Sequence, residues 1–229
     1  MKETAHRKME TVRLSSKVYD ALKSKIVSGE LSAGTKVSQR DIASQMGVSR
    51  TPVRDAMLQL EQDGLLKSVG SGFLVVAEMP IEDMKRTYEL RALLEGFAAK
   101  EVARKRNPNT IALLRRIIDD QKALLKTCRD SMEKELEFVE LDSEFHKVIL
   151  SDTGNPRLIQ MANYLRTLSE CQTVRSRALE VPGRMEKSLA EHEDILEAIE
   201  TGMPEAANDH MITNLKDFCS DVVFYILSR

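Results

Sequence analysis

Residues 38–66, SQRDIASQMGVSRTPVRDAMLQLEQDGLL, restrict what this chain can fold into more than any other stretch. Ile42, Ala43 and Met46 recur at helical spacing, and Gly47 stops the helix they define. Val48 is an apolar plug in the turn that follows. Ser49 offers an N-cap oxygen, and Pro52 falls in the first turn of the next helix, where its missing N–H costs little. That second helix runs from about Arg50 to Asp63, with Val53, Ala56, Met57 and Leu60 on one face, and Gly64 ends it. Two short helices around a tight Gly-containing turn are either an ordinary helical hairpin with a solvated face or a helix-turn-helix, whose second helix enters the DNA major groove. Ser49, Arg50, Thr51 and Arg54 crowd the N-terminal end of that helix, the end such motifs present to base edges and phosphates.

The flanking sequence favours the DNA-binding alternative. LLKSVGSGFLVVAE, residues 65–78, places two apolar β-prone runs around a Gly-Ser-Gly turn, the pattern of a β-hairpin. A hairpin directly after a helix-turn-helix is the layout of a winged helix, and Val18 to Ile26 supplies the packing helix in front.

At these residues the sequence resembles GntR-type transcription regulators of the FadR subfamily, the branch with an all-helical FCD-type effector domain. The resemblance rests on VYDALKSKIVSGELSAGTKVS (18–38), GVSRTPVRDA (47–56) and LEQDGLL (60–66). It implies that Arg40, Ser49, Arg50, Thr51, Pro52 and Arg54 form the DNA-contacting set, and that Gly72 lets the wing approach the minor groove. The family often carries an Arg in the wing; here the wing is short, glycine-rich and without one.

A chain of 229 residues suits one large domain or two small ones. At 42% hydrophobic and 31% charged it has the composition of a soluble globular protein, and a net charge of −2 excludes a wholly basic nucleic-acid coat. Residues 1–79 hold 12 Lys and Arg against 9 Asp and Glu, leaving 22 and 27 for the remainder, so a slightly positive head precedes an acidic body. Cys128, Cys171 and Cys219 are odd in number and widely spaced, as expected of a reduced, cytoplasmic protein. No run approaches a membrane span, no signal-peptide core is expected, and residues 1–12 read as a frayed polar tail.

AEMPI, residues 77–81, marks a boundary, giving a winged head over 1–79 and a helical domain over 80–229 for effector binding and dimerisation. Beyond it helices read roughly as 81–106, 109–127, 131–152, 156–179, 184–201 and 204–227, punctuated by Asn107-Pro108, Gly154-Asn155-Pro156, Val181-Pro182-Gly183 and Gly202-Met203-Pro204, with Asp130-Ser131 capping the third. The fold class expected is mainly α: a winged helix-turn-helix with a small β-hairpin, then an antiparallel bundle of six to seven helices. Leu90, Leu94, Phe97, Ala98 and Val102 read as the core face of the first bundle helix. The family resemblance extends here through ELRALLEGFAA (89–99), LDSEFH (141–146) and EHEDILEAIETGMPEAA (191–207).

Asp142 and His146 stand at i and i+4, so both point from one helix face and can share a cation, with an imidazole such as His192 completing the cage from another helix. The plain alternative is a surface pair and an unrelated histidine. The resemblance favours metal, because metal-binding members place an Asp, a His and a further His at these three positions. It also aligns Asn214 with the family's third His, while His210 lies one turn earlier, roughly 6 Å along the axis. Asn214 completing a weaker site, His210 substituting for it, and loss of the metal all remain open. The implied cofactor is a divalent transition metal of the Zn, Ni or Mn type. Arg91, in the ELR motif, is the candidate for binding an effector carboxylate, with a surface salt bridge to Glu95 as its alternative; Arg166, Arg175 and Arg177 are weaker candidates.

The function expected is a homodimeric, ligand-responsive transcription regulator. It would read a short inverted-repeat DNA operator under the control of a small organic-acid effector, without a membrane partner. The competing classes are a metal-dependent hydrolytic enzyme built on the bundle and a non-specific architectural DNA binder.

Overall fold

The computed structural model describes residues 2–70, 73–126, 132–169 and 181–228, and the chain divides into two compact units meeting at Met79 and Pro80. In the first unit, α1 (Lys2–Ser28), β1 (Lys36–Val37), α2 (Gln39–Met46), α3 (Arg50–Gln62), β2 (Leu66–Val69) and β3 (Phe73–Val76) follow in order. The first helix begins at Lys2, so the expected frayed tail is helical instead. The stretch is rich in Lys, Glu, Arg and Ala and holds no Gly or Pro to stop a helix.

Val18, Leu22 and Ile26 repeat every four residues along α1 and pack with Val53, Ala56, Met57 and Leu60 of α3 in one buried cluster. Ser38 caps α2 by accepting from Asp41 N at 3.4 Å. Gly47, at φ 63°, closes α2 in the left-handed conformation, and the next amide, Val48 N, donates to Ala43 O at 3.1 Å. Val48 is packed against the head core as expected, whereas Met46, read as part of the inner face, is 37% exposed.

The sheet is antiparallel with order β1-β3-β2. Its third strand was not expected. β1 is two residues long, too short to carry a period-two signal, and it is recruited by β3 in the register Lys36↔Val75 and Val37↔Leu74.

The second unit contains α4 (Ile81–Lys105), α5 (Pro108–Leu125), α6 (Met132–Asp152), α7 (Pro156–Ser169), α8 (Arg184–Thr201) and α9 (Pro204–Leu227). The breaks follow local chemistry. Arg106 takes a left-handed conformation after α4, Asn107 caps α5 ahead of Pro108, Asn155 Oδ1 accepts from Arg157 N and Leu158 N, and Gly202 is left-handed before Pro204. The expected Asp130-Ser131 cap lies outside the described residues. α4 is the central helix, packed against α6, α7, α8 and α9. It meets α9 closely at Gly96, where a Cβ would lie 2.9 Å from Ile212 Cγ1 and 3.3 Å from the Asn208 carbonyl.

The face of α4 turned inward differs from the one read from sequence. Met84, Tyr88, Arg91, Ala92, Glu95, Ala98, Ala99 and Val102 are buried, whereas Leu90 and Phe97 are 51% and 46% exposed, and Leu93 is 65% exposed. α4 carries apolar residues nearly all round, so large side chains did not mark the core side. Among the described residues, no helix is long and apolar enough to cross a membrane.

Candidate DNA-reading surface and candidate metal centre

In the first unit, α2 and α3 display Arg40, Ser49, Arg50, Thr51 and Arg54, all exposed. Ser49 occupies the N-cap position of α3 but makes no side-chain cap hydrogen bond, so its hydroxyl is not engaged by the helix. No acidic residue sits in the first turn, which leaves the positive end of the α3 dipole uncompensated from within. Pro52 is the exception among the predicted contacts: it is buried, and it helps start the helix instead of facing DNA. Gly72 lies outside the described residues. One residue the sequence reading missed is Lys36. β1 carries it onto the sheet edge, where Nζ lies 3.2 Å from the centroid of the Phe73 ring on β3, and both line an open cleft with Ser38, Arg40 and Arg50. A two-residue strand gave no signal for that placement.

In the second unit, α6 directs Asp142 and His146 from one face, and α8 brings His192 to them. One ligating atom from each lies within 4.8 Å of the others. His146 and His192 are 3% and 0% exposed. Ser188 Oγ donates to Asp142 Oδ1 at 2.6 Å, and His192 Nε2 stands 3.5 Å from the same oxygen. Phe145 stacks on His192 with centroids 4.0 Å apart and planes 14° from parallel, so the ring has little room to turn.

Around this trio lies a second set of buried polar groups. Glu95, fully buried on α4, places Oε2 2.7 Å from His146 Nδ1, though off the line of a hydrogen bond. Its Oε1 accepts from Arg91 Nε at 2.7 Å, and Arg166 Nη1 lies 3.5 Å from Oε2. Arg91 Nη1 also donates to Ser169 Oγ at 2.9 Å, and Arg166 Nη2 donates to Ser143 O at 2.7 Å. The Arg91–Glu95 pair named as an alternative therefore exists, but buried and not on the surface. Arg166 stands beside the same carboxylate; Arg175 and Arg177 lie outside the described residues.

The electrostatics follow from these contacts. Burial pushes the His192 imidazole down to about 3, so it stays neutral, the form a metal ligand needs. Burial works against ionisation of Asp142 and Glu95, but neighbouring charges win in both. In the acid range where Asp142 gives up its proton, positive charge on the neighbouring imidazoles, the Ser188 hydrogen bond and Arg184 hold it below the usual carboxylate range, and Arg91, His146 and Arg166 do so for Glu95.

The fourth position was left open by the sequence. Asn214 is 3% exposed on α9 and donates through Nδ2 to Glu191 Oε2 at 2.8 Å, a carboxylate that Arg184 also grips. His210 is exposed. Four residues are about 40° more than one helical turn, which carries His210 off the buried stripe of Ala207, Met211, Asn214 and Leu215, so it does not substitute. A metal fits the remaining donors on one observation in particular: His192 Nε2 is buried with no hydrogen-bond partner beside an anionic oxygen. Leaving such an atom unsatisfied costs on the order of 1–3 kcal/mol.

A winged helix-turn-helix followed by a helical unit that buries a cluster of carboxylates, guanidiniums and imidazoles defines a DNA-binding sensor protein. Comparison with known proteins agrees. Residues 14–75 match the model of the gntR family of bacterial regulatory proteins, and residues 86–217, more than half of the chain, match the FCD domain. An HTH-type transcriptional regulator of Bacillus subtilis, YdhC, is 27% identical over 204 residues, covering 88% of this chain and 87% of the relative. The gluconate operon transcriptional repressor of Bacillus licheniformis is 25% identical over 183 residues, covering 79% and 73%. The solved structure of McbR/YncC from E. coli shares the fold, with a TM-score of 0.74 at 20% identity over 94% of this chain and 98% of that one.

The chain belongs to the gntR family of bacterial regulatory proteins, in the branch that carries an FCD domain. It is a DNA-binding transcription regulator and not an enzyme; the hydrolase alternative finds no support in this family.

Proposed function

We propose that two copies of this chain read an inverted-repeat operator, and that a small carboxylate bound in the FCD unit with the help of a divalent transition metal changes operator affinity. The observation that carries the input side is the convergence of Asp142, His146 and the unpartnered Nε2 of His192. These three hold the ion, which supplies a positive centre and a Lewis acid for a carboxylate oxygen. Asn214 is the residue that aligns with the family's third His, and a neutral amide as fourth ligand makes a weaker site than imidazole. Arg91 contributes charge for the anion, and its hold on Glu95 links the anion's place to that of His146. Gluconate, in the name of the Bacillus licheniformis relative, is itself a hydroxy-carboxylate.

On the output side, Arg50 and Arg54 contact bases or phosphates, Arg40, Ser49 and Thr51 position the head, Gly72 lets the wing approach, and Lys36 on β1 supplies a cation beside a wing that carries Lys67 but no Arg. The second copy is supported by the stripe of Leu90, Leu93 and Phe97, each close to half exposed or more along α4.

Selection of bound fragments from a random DNA pool tests the output. An inverted repeat should emerge, and Arg50→Ala or Arg54→Ala should weaken binding by about 10- to 100-fold, as expected for loss of a base contact of 1–3 kcal/mol. Unchanged affinity in both variants overturns the recognition-helix assignment. Elemental analysis tests the input: His146→Ala should lose metal that wild-type protein retains after reconstitution, and metal-free wild type overturns the site.

A further inference from the structure

Gln121 lies on α5, outside every motif considered above, and is 0% exposed where α5 packs on α8. Its Oε1 stands 3.1 Å from His192 Nδ1. A carboxamide oxygen can only accept, so the ring nitrogen facing it carries the proton, and the lone pair is left on Nε2, the nitrogen 3.5 Å from Asp142 Oδ1. Phe145 stacked on the ring holds its plane, so this hydrogen bond decides only which nitrogen is protonated.

We propose that Gln121 is a positioning residue that holds His192 in the Nδ1–H tautomer and thereby makes Nε2 a metal donor. The proposal rests on reading Asp142, His146 and His192 as a metal centre. Ligating histidines almost always donate their other ring N–H to an acceptor that sets the tautomer, and removal of that acceptor costs 10- to 100-fold in metal affinity. Here Gln121 is the aligned acceptor, whereas the carboxylate beside His146 is off axis. The competing arrangement turns the amide over, so that it donates to Nδ1 while His192 Nε2–H faces Asp142; a nitrogen so protonated cannot bind metal.

The test uses the full chain, wild type and the variants Gln121→Leu and Gln121→Glu. Long-range proton–nitrogen spectra of the metal-free protein, with His192 assigned by the signal lost in His192→Phe, should show Nδ1 protonated in wild type and in Gln121→Glu but not in Gln121→Leu. Zn2+ affinity by chelator competition should fall about 10- to 100-fold in Gln121→Leu and return to the wild-type level or better in Gln121→Glu, because a carboxylate acceptor makes the imidazole more basic. A merely structural role gives the opposite order, since a buried charge is worse tolerated than a leucine. An Nε2–H tautomer in wild type, or Gln121→Glu binding Zn2+ more weakly than Gln121→Leu, overturns the proposal. Wild type that shows the Nδ1–H tautomer yet takes up no Zn2+ supports the role of Gln121 and overturns the metal reading alone.

Discussion

Replacing Glu95 with alanine should be among the most damaging single changes in the helical unit. The carboxylate is fully buried between Arg91, 6% exposed, and Arg166, 2% exposed, and it also faces His146. Without it two guanidiniums lose the negative charge between them in a medium that screens poorly. Removing one partner of a buried pair costs about 3–5 kcal/mol, against well under 1 kcal/mol for an exposed pair. At roughly 2–4 °C per kcal/mol for a chain of this size, the midpoint should fall by on the order of 10 °C. Calorimetry is the assay of choice, because the chain has no Trp to report unfolding by fluorescence. Asp83→Ala is the control: its partner Arg86 lies 3.2 Å away, but the two side chains are 57% and 72% exposed. Glu95→Gln keeps an oxygen for Arg91 while deleting the charge, and should fall between the two. If Glu95→Ala loses no more than Asp83→Ala, Glu95 is not the charge that holds this cluster together.

Two further outcomes are expected. Burial lowers the His192 imidazole from 6.5 to about 3, so below about pH 6.5 the unfolded chain takes up a proton that the folded one refuses. Stability is complete above that pH and declines as pH falls, with a limiting slope of about 1.4 kcal/mol per unit. Thermal melts of chelator-treated protein between about pH 7.5 and 5 should show the decline, and an equal slope in His192→Phe refutes its origin. On the head, Lys36→Ala should reduce the slope of log affinity against log salt by about 1 without changing the preferred DNA sequence, and an unaltered slope removes Lys36 from the phosphate contacts.

The helix-turn-helix was legible because its signals are short-range: apolar spacing, Gly47 in the turn, and Pro52 at a helix start lie within a dozen residues of one another. The interhelical breaks were legible for the same reason. The pairing of Asp142 with His146 could be read from an i, i+4 spacing, but Glu95 and Gln121 could not be joined to them, since each reaches the site from a different helix. Spacing misled where a helix had no single apolar face. On α4 the bulky residues Leu90 and Phe97 turned outward, while a charged pair, Arg91 and Glu95, turned in.

Apart from the tail before Val18, the sequence alone determined which of the described segments are helices, where most of them stop, and which end of α3 carries the cations, because those properties depend on neighbours along the chain. Tertiary structure decided the rest. It laid Lys36 against Phe73 across a strand too short to read, turned His210 to solvent and Asn214 inward on one helix, and left His192 Nε2 buried beside Asp142 without a hydrogen-bond partner. Each of these depends on which helix or strand lies opposite, and burial is what gives an unsatisfied nitrogen or an enclosed carboxylate its energetic weight.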